Sequence, residues 1–305
     1  MSGATVTFEG VSKTYGRLAA VRDVDLILHE GECVALVGHN GAGKSTLIKL
    51  MLGLVKPRAG KVMVLGENPG AAVQARAQIG YLPESVALQP TMTGEELLAF
   101  YARIKRRRVS DNPRILERVG IAGVARHRIG TYSKGMRQRL ALAQALIGDP
   151  RVLLLDEPTT GLDPALRQTF YEIVGDLRTK GVTVLLSTHA LNELEGQVDR
   201  VVVMNQGRKV ADGTIADLRR LARRPARIRL TLQDDLVTPF PRVAGMGFEC
   251  HRVDARRFDI HCAEQEKVNV VRRITDGALP VADIEITSPT LDDVYAHFLN
   301  AEAAE

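Results

Sequence analysis

The chain has 305 residues, 45% of them hydrophobic and 25% charged, with a net charge of +5. That is room for one large domain and a smaller one of ordinary globular composition. The mild basic balance suits an anionic nucleotide or a membrane surface and demands neither nucleic acid nor lipid, while few aromatics and no Trp argue against a base-stacking surface.

No apolar run approaches the ~18 residues of a membrane span. The start, Met1-Ser2-Gly3-Ala4-Thr5, lacks the pattern of a signal peptide. Cys33, Cys250 and Cys262 form neither a C-x-x-C pair nor an even framework, which points to a reducing compartment.

In chain order, Val6-Thr7-Phe8-Glu9-Gly10-Val11 and Val24-Asp25-Leu26-Ile27-Leu28 alternate apolar and polar, which predicts two half-exposed antiparallel strands. Tyr15-Gly16 lies between them. From position alone, Tyr15 either stacks on an adenine or packs on its own hairpin.

Val34-Ala35-Leu36-Val37 reads as a buried strand, and residues 46–52 have helical spacing with Gly53 as a stop. Between them Gly38-His39-Asn40-Gly41-Ala42-Gly43-Lys44-Ser45 fits G-x-x-x-x-G-K-[ST], the phosphate-binding loop. A helix N-terminus presents free N–H groups and the positive end of its dipole, which favour a phosphate. Gly38, Gly41 and Gly43 let the backbone come close and take unusual dihedrals. Lys44 can reach β- and γ-phosphates, and the Ser45 hydroxyl can ligate Mg²⁺. Asn40 and Thr46 complete the expected nucleotide-binding stretch.

Residues 62–65 and 78–82 are further strand candidates, the second ended by Pro83. From Thr93 to Gly148 the pattern turns helical, and three helices are predicted. The first starts at Thr93 with Glu96 as a capping box, and the others cover 112–119 and 133–147. This block, about 85–148, reads as a subdomain inserted into a strand–helix alternation. Lys105-Arg106-Arg107-Arg108 ends the first helix. There the cations either complement a helix C-terminus or form a docking site for an anionic partner.

Val152-Leu153-Leu154-Leu155 predicts a central parallel strand running into Asp156-Glu157-Pro158. A helix over 164–177 and strands over 182–187 and 200–204 follow, with a turn at 205–207. The alternation implies a parallel sheet with helices on both faces. Asp156 at the strand end can hold Mg²⁺ opposite Ser45, and Glu157 can polarise the attacking water as a general base. His189, in Ser187-Thr188-His189, can reach a γ-phosphate, although a lone histidine is more often structural.

The basic, Pro-ended segment from Arg219 to Pro225 predicts a domain boundary. Beyond it, strands over 226–232, 248–253, 257–262 and 281–286 and helices over 266–275 and 291–299 make a small α+β domain. Strand parity turns Phe248, Cys250, Ile260 and Cys262 to its core and His251 and His261 to the other face, which argues against a shared metal site.

Several motifs then agree in order. Tyr132-Ser133-Lys134-Gly135-Met136-Arg137-Gln138-Arg139, Gly161-Leu162-Asp163 and Ser187-Thr188-His189, with the phosphate loop, Asp156 and Glu157, resemble the signature sequence, D-loop and switch-histidine loop of ATP-binding-cassette (ABC) ATPases over about residues 4–220. The resemblance implies a P-loop NTPase α/β fold: a RecA-like parallel sheet, an antiparallel β subdomain and the inserted helical subdomain, over 1–222. The α+β accessory domain covers 226–305. It also implies ATP and Mg²⁺ as ligands, with Tyr15 stacking the adenine. Each ATP would lie between the Lys44 loop of one chain and Ser133 and Gly135 of a second in a homodimer, with Asp163 of the D-loop a further nucleotide-binding residue. The dimer would drive integral-membrane permease subunits from the cytoplasmic face of the inner membrane, with no nucleic-acid partner.

Two positions depart from the family pattern. Glu84 stands where Gln is usual; it can approach Mg²⁺ or its water and adds negative charge there. Lys134 and Met136 replace Gly and Gln. More narrowly, Gly80-Tyr81-Leu82-Pro83-Glu84, the run Thr131 to Leu140, and Asp283-Ile284-Glu285-Ile286 with Pro289 to Tyr295 are similar to the NosF-type ATPases of nitrous oxide reductase maturation. That similarity implies a periplasmic partner and transport of copper or a sulfur species. Related drug- and polysaccharide-type exporters share the first two runs.

Overall fold

Long stretches of alternating residues cannot bury both faces, so they pair into ribbons and cover a core with one side. The strands β1 (Ala4–Tyr15) and β2 (Leu18–His29) do this. They pair antiparallel, burying Val6, Phe8, Val24, Leu26 and Leu28 and leaving Ile27 exposed. They run longer than the sequence pattern indicates, because register shifts near Gly10 and Asp23, both at positive φ, break the alternation without ending the pairing. The structure is a computed structural model and describes residues 3–222, 224–233, 249–276 and 280–302.

The fully apolar β3 (Cys33–Val37) opens the second sheet, and the loop after it leads into α1 (Lys44–Met51). This helix ends in a Schellman arrangement, with Gly53 N–H on Leu50 O and Leu54 N–H on Lys49 O. β4 (Ala59–Val64) then returns to β1, giving a three-stranded antiparallel sheet β2-β1-β4. α2 (Val73–Ala77), which has no clear periodicity, precedes β5 (Ile79–Leu82).

Three helices follow: α3 (Gly94–Ile104), α4 (Asn112–Arg118) and α5 (Lys134–Leu146). The Thr93–Glu96 capping box is fully formed. Lys105 bonds the carbonyls of Gln144 and Ile147, so this cation of the basic run complements the end of α5, not that of its own helix.

β6 (Val152–Asp156), α6 (Pro164–Thr179), β7 (Thr183–Thr188), β8 (Arg200–Asn205) and β9 (Arg208–Gly213) complete the larger sheet, in the order β5-β6-β7-β3-β8-β9. The pairs from β5 through β8 are parallel. β8 and β9 are joined by Gln206 and Gly207, both at positive φ, which is the dihedral pattern of a tight hairpin turn. The sequence pattern does not reveal β9, whose residues are all partly exposed or exposed. One apolar cluster links the two sheets through α1: Phe8 and Leu26 from one side, Leu36, Leu154, Leu185 and Val202 from the other, with Leu47 and Ile48 in it.

The chain divides into two compact units, Met1–Asp212 and Gly213–Glu305. α7 (Ile215–Ala222) therefore groups with the second unit, where the Arg219–Pro225 boundary puts it in the first. The cause is packing: α7 lies against α9 (Leu291–Glu302). Within this unit β10 (Ala226–Leu232), β11 (Glu249–Arg252), β12 (Arg257–Cys262) and β13 (Val281–Thr287) form an antiparallel sheet, in the order β11-β12-β10-β13. α8 (Lys267–Asp276) adds Val270 and Ile274 to its core. Phe248 lies outside the described residues. Cys250 and Cys262 turn to this core, and the rings of His251 and His261 meet edge to face at 5.6 Å.

Candidate functional site

In a parallel sheet the carboxyl ends of the strands lie together, and loops leaving them converge. Here β7 sits between β3 and β6, with Val37 opposite Thr188 and Asp156 opposite Ser187. Three loops distant in sequence thus start side by side.

The glycine loop after β3 folds tightly. Gly41 and Gly43 have φ of 87° and 108°. A Cβ on Gly43 would lie 2.5 Å from Ala20 O, and one on Gly38 would lie 2.7 Å from Met204 O. The need at Gly38 is therefore close approach, since its φ is not positive, whereas Gly43 needs both space and dihedral. Lys44 is buried, and its Nζ donates to Gly38 O at 2.5 Å and His39 O at 3.2 Å. Burial lowers the Lys44 pKa, while the Glu157, Asp156 and Glu84 carboxylates pull it back up.

A cavity of about 270 Å³ opens there, lined by Asn40, Lys44, Ser45, Glu84, Asp156, Glu157 and His189. Asp156 and Glu157 are nearly buried. The Ser187 hydroxyl donates to Asp156 Oδ1 at 2.5 Å and accepts from Glu157 N–H at 3.0 Å, tying the Asp156 carboxylate and the Glu157 backbone to the neighbouring strand. Glu157 has φ of 49°, a region costly for a side-chain-bearing residue and often found where a functional group is aimed. His189 Nδ1 lies 2.9 Å from Glu157 Oε2, and Thr160 donates to the same oxygen at 3.2 Å. Ser187 as a bridge and Thr160 as a clamp leave no sequence signal, because strand register is not written locally.

The lining can hold an anion on a lysine and loop N–H groups and place a carboxylate beside it. Its oxygen donors Ser45, Asp156 and Glu84 suit a hard cation such as Mg²⁺ that keeps waters and phosphate oxygens as its other ligands. Among the described residues no three His, Cys, Asp or Glu side chains are grouped to enclose a metal by themselves.

The remaining candidates stand outside this lining. Tyr15, 42% exposed at the end of β1, has Lys13 Nζ 5.3 Å from its ring centre. Thr46 lies in α1. Ser133 caps α5, its hydroxyl accepting from Met136 N–H at 3.2 Å, and Asp163 caps α6, accepting from Leu166 N–H at 2.9 Å. A Cβ on Gly135 would strike Leu166, so the start of α5 packs directly on the start of α6. Gln138 adds a bond to Pro158 O at 2.7 Å, tying α5 to the segment after Glu157.

The run Pro289 to Tyr295 serves the architecture of the small unit. Thr290 Oγ1 accepts from Asp293 N–H, and Asp293 Oδ2 accepts from Thr290 N–H, which caps α9.

Comparison with known proteins gives consistent answers. A family described as ABC transporter matches residues 21–160. The Nod factor export ATP-binding protein I of Rhizobium johnstonii is 41% identical over 218 residues, covering 70% of this chain and 70% of its own. That of Bradyrhizobium diazoefficiens is 39% identical, covering 70% and 71%. Among solved structures, an ATP-binding subunit of an ABC transporter is 32% identical, with a TM-score of 0.65 over 71% of this chain and 92% of its own. A dimeric bacterial ABC transporter cassette is 25% identical, with a TM-score of 0.63 over 69% and 98%.

Proposed function

We propose that this chain, which belongs to the ATP-binding subunits of ABC transporters, uses the Lys44 cavity to hydrolyse ATP and so drives separate membrane subunits. The observation that carries this reading is the meeting of Lys44, Ser45, Asp156, Glu157 and His189 around one cavity. Loop N–H groups and Lys44 would bind the β- and γ-phosphates. Ser45 and Asp156 would hold Mg²⁺, which neutralises charge on the phosphates; Glu84 would act on it at most through water. Glu157 would take the proton of the attacking water, and His189 would hold that carboxylate in place. Tyr15 would lie against the adenine.

Ser133 and Gly135 lie outside the cavity lining, so the phosphate-binding end of α5 would serve the ATP of a second chain, with Asp163 beside it. A homodimer of nucleotide-binding subunits is therefore the working unit. No helix among the described residues is long and apolar enough to cross a membrane. Integral-membrane permease subunits would supply the path, and this chain would bind them from the cytoplasmic side.

For the cargo, the similarity of residues 80–84, 131–140 and 283–295 together to NosF-type ATPases suggests a transporter of the nitrous oxide reductase maturation type, with a periplasmic partner and copper or a sulfur species as substrate; the first two runs fit drug- and polysaccharide-type exporters equally. The 41% identity to Nod factor export proteins favours a second reading, the ATPase of a drug- or polysaccharide-type exporter. Glu157→Gln tests the chemistry: it is expected to bind ATP, trap a closed dimer on a sizing column and lose turnover. Normal hydrolysis by that variant would remove Glu157 as the base. Identifying the membrane proteins that co-purify with the chain separates the two cargo classes.

A further inference from the structure

Two side chains with no role in the reading above hold the phosphate loop in place. His39, within the loop, has Nδ1 2.7 Å from Asn40 O and Nε2 2.9 Å from Oδ1 of Asn205, at the end of β8. His39 is exposed and Asn205 is 5% exposed, so the strand residue is the fixed partner. In the turn that follows, Gly207 N–H donates to Ala42 O at 3.0 Å. The β8–β9 turn thus reaches two alternate carbonyls of the loop, one through its backbone and one through the imidazole.

We propose that His39 and Asn205 form a positioning pair for nucleotide binding; the proposal rests on the reading of Gly38 to Ser45 as the phosphate cradle. A trans peptide points its C=O and N–H in opposite directions. Holding Asn40 O against the imidazole therefore aims Gly41 N–H the other way, and holding Ala42 O does the same for Gly43 N–H. Gly41, at φ 87°, offers no local resistance to rotation of the peptide before it. The imidazole supplies the resistance. With Nδ1–H donating to Asn40 O, the neutral ring presents Nε2 as an acceptor, and the Asn205 amide meets it with its N–H after a half-turn about its last bond. His39 and Asn205 touch no phosphate in this scheme; they act through the peptide they orient.

The test is ADP binding by calorimetry to the full chain, to His39→Ala, to Asn205→Ala and to the double variant. Losing one such bond is expected to weaken ADP about 3- to 10-fold. The double variant should be no weaker than the worse single one, because both remove the same support. In turnover assays the KM for ATP should rise with kcat retained at saturation, a split that general loosening would not give. Unchanged ADP affinity in His39→Ala, or losses that multiply in the double variant, would overturn the proposal. His39 is exposed, so its result stands alone if Asn205→Ala does not fold, which nucleotide-free melting curves report. Lys44→Ala serves as the control. If it binds ADP like the parent chain, the cradle reading fails; if only His39 and Asn205 are silent, the pair fails.

Discussion

Lys44 donates to two carbonyls of its own loop, so a bound phosphate must replace those bonds with stronger, charge-assisted ones. Lys44→Ala is expected to weaken ADP at least about tenfold by calorimetry, a loss of roughly 1.4 kcal/mol or more. Glu84 sets the opposite charge beside it. Glu84→Gln should tighten Mg²⁺-free ADP binding about 2- to 5-fold by lifting repulsion from the phosphates. If Glu84 helps hold the metal's water, the same variant should weaken binding once Mg²⁺ is added; titrations with and without EDTA separate the two effects. Cys33, wholly buried, has its thiol pushed up to about 12 from 9.0. Its sign is that of a raised acid: both states are neutral below about pH 9. Above it only the unfolded chain ionises, so stability falls as pH rises towards 12. At pH 8 iodoacetamide should leave Cys33 unmodified until denaturant is added. Lys44 was legible from the spacing of its loop, and Glu84 only through the family resemblance. The Ser187 bridge, the Thr160 clamp and the left-handed Glu157 were not, because each depends on a partner or a backbone turn that no local pattern encodes.

At the scale of elements, local chemistry predicted what local chemistry controls. The Thr93–Glu96 box starts α3, Pro164 stands in the first turn of α6, and Gly53 ends α1. Thr93→Ala should cost about 1 kcal/mol, read as a lower melting temperature of the chain. The same local reading failed for β9 and α7. β9 has no buried residue in its pattern and exists because Gln206-Gly207 turns it back onto β8. α7 hides inside a basic run; its Leu218 and Ala222 are buried, and the helix lies against α9. In the run at 283–295, Thr290 and Asp293 form the cap of α9.

Among the described residues, one apolar core joins the two sheets of the larger unit through α1 and another lies in the smaller unit. A ligand stabilises the unit that binds it. Calorimetric unfolding with ADP and Mg²⁺ is therefore expected to raise the transition of the larger unit and leave that of the smaller one in place. A single transition moved as a whole would instead mean that the two unfold together. By itself the sequence determined the fuel, the order of the motifs and the parallel core. These follow from glycine spacing, apolar runs and carboxylates at strand ends, which act over a few residues. The tertiary structure alone decided that Asp156, Glu157, Ser45, Lys44 and His189 share one cavity while Ser133 and Gly135 do not join its lining. Strand order put β7 between β3 and β6, and that order is fixed by long-range packing that no window of sequence contains.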